Sequence, residues 1–96
     1  MNLKTLRQEI DAINAQIIAL FAKRLDVARK IAEVKKQEDL PVHDPKREEE
    51  QLNILRKMAS QHGVSPAVIE EIFALFVDYS KLNMKITMQK EERKNG

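Results

Sequence analysis

The clearest pattern in the sequence is a row of apolar residues that recurs every three or four positions through the first third of the chain. Nine of the ten positions are apolar and the tenth is an arginine; we call this row the long stripe. It comprises Leu3, Leu6, Ile10, Ile13, Ile17, Leu20, Arg24, Val27, Ile31 and Val34. Such spacing places all of these residues on one face of an α-helix, as in a heptad repeat. The pattern predicts a helix from about Leu3 to Gln37.

Proline and glycine residues mark where this helix stops and where a second one begins. Pro41 cannot continue a helix, because its ring removes the N–H donor and clashes with the preceding turn. Asp44 is a favourable N-cap, and Pro45 suits the first helical position. The second helix should then run to about Gln61, since Gly63 favours a C-terminal stop.

A third helix follows the same rules. Ser65 is another N-cap with Pro66 directly behind it, and the apolar spacing continues to about Gln89. The highly charged residues 89–96 are expected to fray as a tail. No segment shows the apolar–polar alternation of a strand. The predicted fold class is therefore all-α, with three helices per chain in a single domain over residues 1–96.

The length of the first helix predicts the association of two chains. The long stripe would span roughly 46 Å at ~1.5 Å per residue, whereas a compact chain of this size has a radius of gyration of about 12–13 Å. The second helix is too short to cover the whole stripe. We therefore expect an intertwined homodimeric helical bundle rather than an antiparallel monomeric bundle.

Composition narrows the chemistry that the chain can perform. Its 96 residues contain no cysteine, which excludes thiol chemistry and disulfides and is compatible with a cytoplasmic location. Two glycines are too few for a Gly-rich phosphate loop, and a net charge of +2 attracts nucleic acid only weakly. No apolar run reaches the ~20 residues of a membrane span. We expect no metal, no cofactor, no nucleic-acid partner and no membrane contact.

Several charged residues nevertheless fall on apolar faces, where a charge needs a partner. Arg24 lies within the long stripe, and Lys35 follows eleven residues later at almost the same angle around the helix. Either Arg24 pairs with a carboxylate of the protein and Lys35 extends into solvent, or the two cations bind a ligand. Glu48 falls on the inward stripe of the second helix, four residues after Asp44, and Arg47 flanks both.

The third helix carries two apolar stripes, and a serine interrupts one of them. The first stripe is Val68, Ile72, Leu75, Tyr79, Leu82 and Ile86. The second stripe is Ile69, Phe73, Phe76, Ser80 and Met84. A serine in such a row usually donates to the carbonyl four residues earlier, but Ser80 could instead offer its hydroxyl to a ligand.

Four segments together resemble the all-helical (type II) class of chorismate mutase. They are LRQEIDAIN, AKRLDVARKIAEVK, LPVHDPKREEEQL and IFALFVDYSKL, and the resemblance runs from about Leu3 to Gln89. It implies an intertwined homodimer with two shared sites. It also implies a Claisen rearrangement of chorismate to prephenate, on the route to phenylalanine and tyrosine, without nucleophile or cofactor. Catalysis would rest on a reactive substrate conformation and on electrostatic stabilisation.

The resemblance assigns the cations to the substrate's anionic groups. Arg24 and the partner subunit's Arg7 would clamp the carboxylates. Arg7 must come from the partner, because on one helix it lies about 26 Å from Arg24 at ~1.5 Å per residue. Lys35 would bind a carboxylate and the ether oxygen, where negative charge grows.

The remaining assignments concern the ring of the substrate. Glu48, helped by Asp44, would hold the ring hydroxyl, and Arg47 would support that end of the site. Ser80 would reach the ring carboxylate. Met84 departs from the family, which places a Gln or Glu there as a second donor to the ether oxygen. A thioether donates no hydrogen bond, so this departure predicts a weakened mutase or a different site.

Three alternatives remain open at this point. An isochorismate-pyruvate lyase uses the same scaffold and also needs cations without a nucleophile, although the D-x-x-R-E start of the second helix favours the mutase. A non-catalytic module that senses chorismate or prephenate is compatible with Met84. A basic helical nucleic-acid binder is disfavoured, because aromatic residues make up 4% of the chain and its charges nearly balance.

Overall fold

The computed structural model describes residues 1–41 and 43–95, with side chains described for 1–41 and 43–83. Over these residues the chain forms three helices: α1 (Leu3–Gln37), α2 (Pro45–Gln61) and α3 (Pro66–Asn95). The all-α class and the start of each helix are confirmed. The chain divides into two compact units, Met1–Val34 and Lys35–Gly96.

The first unit is the greater part of α1. Asn2 caps its start, because Asn2 Oδ1 accepts a hydrogen bond of 2.9 Å from the backbone N–H of Thr5. The apolar side chains of the long stripe are exposed, with Ile10 at 56%, Ile17 at 51% and Leu20 at 66% of their full accessible area. Residues 1–34 are all described, and beyond the part of α1 that starts at Leu3 they contain no second element that could cover this stripe.

The second unit begins at the C-terminal end of α1. The backbone N–H of Leu40 donates to the carbonyl of Lys35 at 2.8 Å, and that of Asp39 donates to Lys36 at 3.4 Å. Asp39 has a φ of +56°, in the left-handed region that an Asp tolerates better than most residues. These bonds satisfy the last carbonyls of the helix. Helix α1 therefore ends at Gln37, as predicted, and before Pro41 is reached.

The two ends of α2 are closed by the residues that the sequence singled out. Asp44 Oδ1 accepts a hydrogen bond of 3.1 Å from the backbone N–H of Arg47. At the other end Gly63 has a φ of +69°, and the N–H of Val64 donates to the carbonyl of Ala59 at 2.9 Å. A left-handed glycine followed by this bond is a Schellman motif. The predicted end of α2 at Gln61 is confirmed.

Helices α2 and α3 pack against each other as a helical hairpin. The predicted inward stripe of α2 is confirmed, since Glu48, Leu52 and Leu55 are half-buried and Ala59 is buried. Of the two stripes of α3, the covered one is the stripe that contains Ser80. Its rings Phe73 and Phe76 meet edge to face, with centroids 5.4 Å apart.

In the other stripe of α3, the side chains that the structure describes are exposed. Its exposed side chains include Val68 at 49%, Leu75 at 69% and Leu82 at 55% of full area. Helix α3 continues to Asn95, past the end near Gln89 that the sequence predicted. The segment KEERKN consists mostly of good helix formers and has neither proline nor glycine, so nothing in it interrupts the backbone pattern.

An ion pair joins the two helices of the hairpin. Arg56 Nε donates to Glu70 Oε2 at 3.1 Å and Arg56 Nη2 donates to Glu70 Oε1 at 2.7 Å, a bidentate arrangement. The hydrogen bond from Arg56 lowers the pKa of the Glu70 carboxyl. Both side chains are about two-fifths exposed, so solvent screens the pair and its contribution to stability is small.

We expect Glu70→Gln to lower the melting temperature slightly at pH 7 and not at pH 2. The folded-state pKa of Glu70 lies below its value in the unfolded chain, because Arg56 donates a hydrogen bond to the carboxylate. Its contribution is therefore complete above the unfolded pKa and is lost as the pH falls through the lower, folded pKa. Thermal unfolding of both proteins across this range measures the difference. A deficit that persists at pH 2 would contradict the assignment to ionised Glu70.

Candidate active site

The start of α2 fixes the position of Glu48. Asp44 caps the helix through its side chain, and its backbone carbonyl accepts the N–H of Glu48 at 3.0 Å. Glu48 is thereby held in the first turn, where the positive end of the helix dipole favours a carboxylate. Arg47, next to it, is exposed.

The Glu48 carboxylate meets two basic side chains. Lys81 Nζ, from α3, donates to Glu48 Oε1 at 3.2 Å. His43 Nδ1, from the segment before α2, lies 3.7 Å from the same oxygen. The inward carboxylate thus has the partner that its position requires, and that partner comes from α3.

A pocket of about 190 Å³ lies between α2 and α3 beside this ion pair. Its apolar wall includes Leu52, Phe73 and Val77, and its polar wall includes Glu48 and Lys81. Complete sites for small molecules usually measure ~300–1,000 Å³. The pocket within this unit is therefore large enough for part of such a site only.

Ser80 is buried at 7% of its full area, and its Oγ donates to the carbonyl of Phe76 at 2.8 Å. This is the backbone bond that a serine in a helical stripe usually makes. An interaction with a ligand carboxylate needs the same hydroxyl proton, so Ser80 would have to exchange this bond for the new one. Ser80 does not line the pocket beside Glu48.

The predicted cations on α1 divide between the two units. Arg7 and Arg24 belong to the first unit, where Arg7 is exposed and Arg24 half-buried. Lys35 belongs to the second unit, in the last turn of α1, and is half-buried. The prediction for Met84 falls outside the residues whose side chains the structure describes.

Lys81 is a polar residue of this region that the sequence pattern did not predict for the site. It follows Phe73 and Val77 at steps of four, so it continues a further apolar line of α3. A charge on an apolar line was the signal that singled out Arg24 and Glu48. Its partner Glu48 lies 33 residues away in the sequence, and no local spacing rule connects them.

The arrangement suits binding rather than covalent chemistry. Among the described residues no group of three or more His, Cys, Asp or Glu side chains could hold a metal ion. In the same part of the chain no helix is long and apolar enough to cross a membrane. What the site offers is a carboxylate fixed at a helix start, a lysine side chain and an apolar wall. Such groups can hold a small polar molecule and stabilise charge that develops on it.

These features define a class of small all-α proteins that act on a ligand through fixed charges. The particular family follows from comparison with known sequences. The sequence model described as chorismate mutase type II matches residues 6–85, and the chain belongs to this family. The enzyme class is therefore that of an isomerase, a chorismate mutase.

Individual relatives agree with the family assignment. The chain is 31% identical over 93 residues to a protein named chorismate mutase from Methanocaldococcus jannaschii, covering 97% of this chain and 94% of the relative. It is 40% identical over 81 residues to the T-protein of Haemophilus influenzae, covering 84% of this chain and 22% of that protein. It is 28% identical over 92 residues to the bifunctional chorismate mutase/prephenate dehydratase of Escherichia coli K12, covering 96% of this chain and 24% of that protein. The chain thus spans nearly all of the first relative and about a quarter or less of the other two.

Proposed function

We propose that the chain converts chorismate to prephenate by a Claisen rearrangement, using residues from two copies of itself. The observation that carries the proposal is the Glu48 carboxylate, which is fixed by the capped start of α2 at the wall of an apolar pocket. A carboxylate in that position suits a neutral hydroxyl donor on a ring that packs against apolar side chains. The reaction is unimolecular, so the protein needs no nucleophile of its own.

The mechanism rests on two effects. Cations that hold both carboxylates of the substrate select the folded conformation in which the new C–C bond can form, which removes most of the entropic barrier. We assign the clamp to Arg24 and the partner subunit's Arg7, and the ring carboxylate to Ser80.

The second effect is electrostatic. The breaking C–O bond leaves negative charge on the ether oxygen, which Lys35 stabilises more strongly in the transition state than in the ground state. Glu48, supported by Asp44 and Arg47, orients the ring.

A homodimer is part of the proposal. The exposed long stripe supports it, because a helix with a continuous apolar face needs a covering surface that the first unit lacks. A second copy of α1 provides an apolar face with matching spacing. The small volume of the pocket in the second unit also fits a site that further side chains complete. We also propose a cytoplasmic location, with which a sequence without cysteine is compatible.

The direct test is to give the purified chain chorismate and isochorismate separately and to identify the products by NMR. We expect prephenate from chorismate, at a rate well above that of the uncatalysed rearrangement in the same buffer. Pyruvate released from isochorismate, without prephenate, would assign the chain to the lyase instead. Tight binding of chorismate without turnover would indicate a sensing module.

The residue at position 84 gives a prediction for the rate. Because a thioether cannot donate to the ether oxygen, Met84→Gln should raise kcat by roughly tenfold, a part of the 10²–10³ that one such donor can contribute. Steady-state kinetics with chorismate measures the change. Met84→Leu is the matched control, since it keeps the volume and adds no donor. Equal rates for the two variants would show that no donor is missing at this position.

A further inference from the structure

Lys81 forms a hydrogen-bonded ion pair with Glu48 that the proposed mechanism does not use. Its Nζ lies 3.2 Å from Glu48 Oε1, with the two side chains 43% and 41% exposed. Ion pairs with this much solvent contact add little to folding stability. The consequence of the contact is therefore local: it restricts where the Glu48 carboxylate points and offsets its charge.

The partial neutralisation of Glu48 by Lys81 matters because the substrate is itself negatively charged. Chorismate carries two carboxylates, and a third carboxylate beside it would repel the dianion. An ammonium group hydrogen-bonded to Glu48 cancels much of this repulsion and leaves a carboxylate that still accepts a hydrogen bond from a hydroxyl group. His43 Nδ1 is 3.7 Å from the same oxygen, which is beyond hydrogen-bonding distance, so Lys81 is the closer basic group of the two.

We infer that Lys81 is a positioning residue for Glu48, a role that rests on the proposed mutase function. Lys81 holds Glu48 Oε1, which directs Oε2 towards the ring hydroxyl, and it allows a carboxylate to operate beside a dianionic substrate. Two neighbours of this pair constrain the contact. Phe73 and Val77 line the pocket at the two preceding turns of the same face of α3, so the stem of Lys81 continues an apolar surface and its ammonium group reaches α2.

A double-mutant cycle on kcat/KM tests this role. Lys81→Met keeps the stem and removes the charge, and we expect it to lower kcat/KM for chorismate by about tenfold, as for strongly coupled neighbours. In a Glu48→Gln background the same change should cost less than about twofold, because a neutral amide needs no cation. Lys81→Arg should recover most of the activity, since a guanidinium also donates to a carboxylate. Lys57→Met, an exposed lysine of α2, should behave as wild type.

Each outcome of the double-mutant cycle either supports or overturns the proposed role of Lys81. An equal loss in both backgrounds would show that Lys81 acts on the substrate or on packing rather than through Glu48, and would overturn the inference. Activity that Lys81→Met leaves unchanged would also overturn it, while the mutase function would stand. Absence of prephenate formation by the wild-type chain would overturn the proposed function and this inference with it. Circular dichroism of each variant confirms that the helices are retained.

Discussion

Replacement of Lys35 by alanine should lower kcat/KM for chorismate by about 10³-fold, with most of the loss in kcat. The ether oxygen gains negative charge as its bond to the ring breaks, and the Lys35 ammonium is the group assigned to that charge. Met84 supplies no donor that could compensate. The fold should tolerate the change, because the contact that closes α1 uses the backbone carbonyl of Lys35 and alanine is the best helix former.

The neighbouring lysine provides the control for this experiment. Lys36 lies in the same last turn of α1 but is exposed, so Lys36→Ala removes an equal charge from almost the same place. We expect Lys36→Ala to retain wild-type kinetics. A loss below about tenfold for Lys35→Ala, or similar losses for both variants, would exclude Lys35 from the ether oxygen.

Mixing two inactive variants, Arg7→Ala and Arg24→Ala, should restore activity that neither has alone. In the proposed dimer each site takes Arg24 from one chain and Arg7 from the other. A mixed dimer of the two variants therefore contains one intact site and one that lacks both arginines. If subunits exchange at random, half of the dimers are mixed, and activity should reach about one quarter of wild type. Each variant alone should lose roughly 10²-fold or more, because a substrate carboxylate loses its clamp.

The mixing experiment separates a shared site from a site within one chain. If Arg7 served its own chain, each mixed dimer would contain two damaged sites and no activity would return. The variants are unfolded together in denaturant and refolded, so that subunits exchange fully, and each variant refolded alone is the control. A mass in solution corresponding to a monomer at micromolar concentration would contradict the dimer independently of any activity.

Two residues at the start of α2, Glu48 and Asp44, could be placed from local patterns in the sequence. Glu48 interrupts an apolar stripe of α2, and its placement among half-buried residues is confirmed. Asp44 has the spacing of an N-cap, and its bond to the Arg47 N–H is observed. Lys81 could not be assigned to the site in this way, because its role depends on Glu48, which lies in another helix. The roles of Arg7 and Arg24 stay predictions that the mixing experiment decides.

The sequence by itself determined the helices of this protein, because caps, stops and apolar spacing act within a few residues. Most of the observed helix ends are set by hydrogen bonds between residues close in sequence, which involve Asn2, Asp44, Gly63 and Ser65. The tertiary structure decided which face of α3 is covered. Two stripes of α3 are about equally apolar in sequence, and packing against α2 covers the stripe with Ser80 while the stripe with Leu75 stays exposed. The same packing brings Lys81 to Glu48, since contacts between distant residues follow from how helices pack and not from their spacing along the chain.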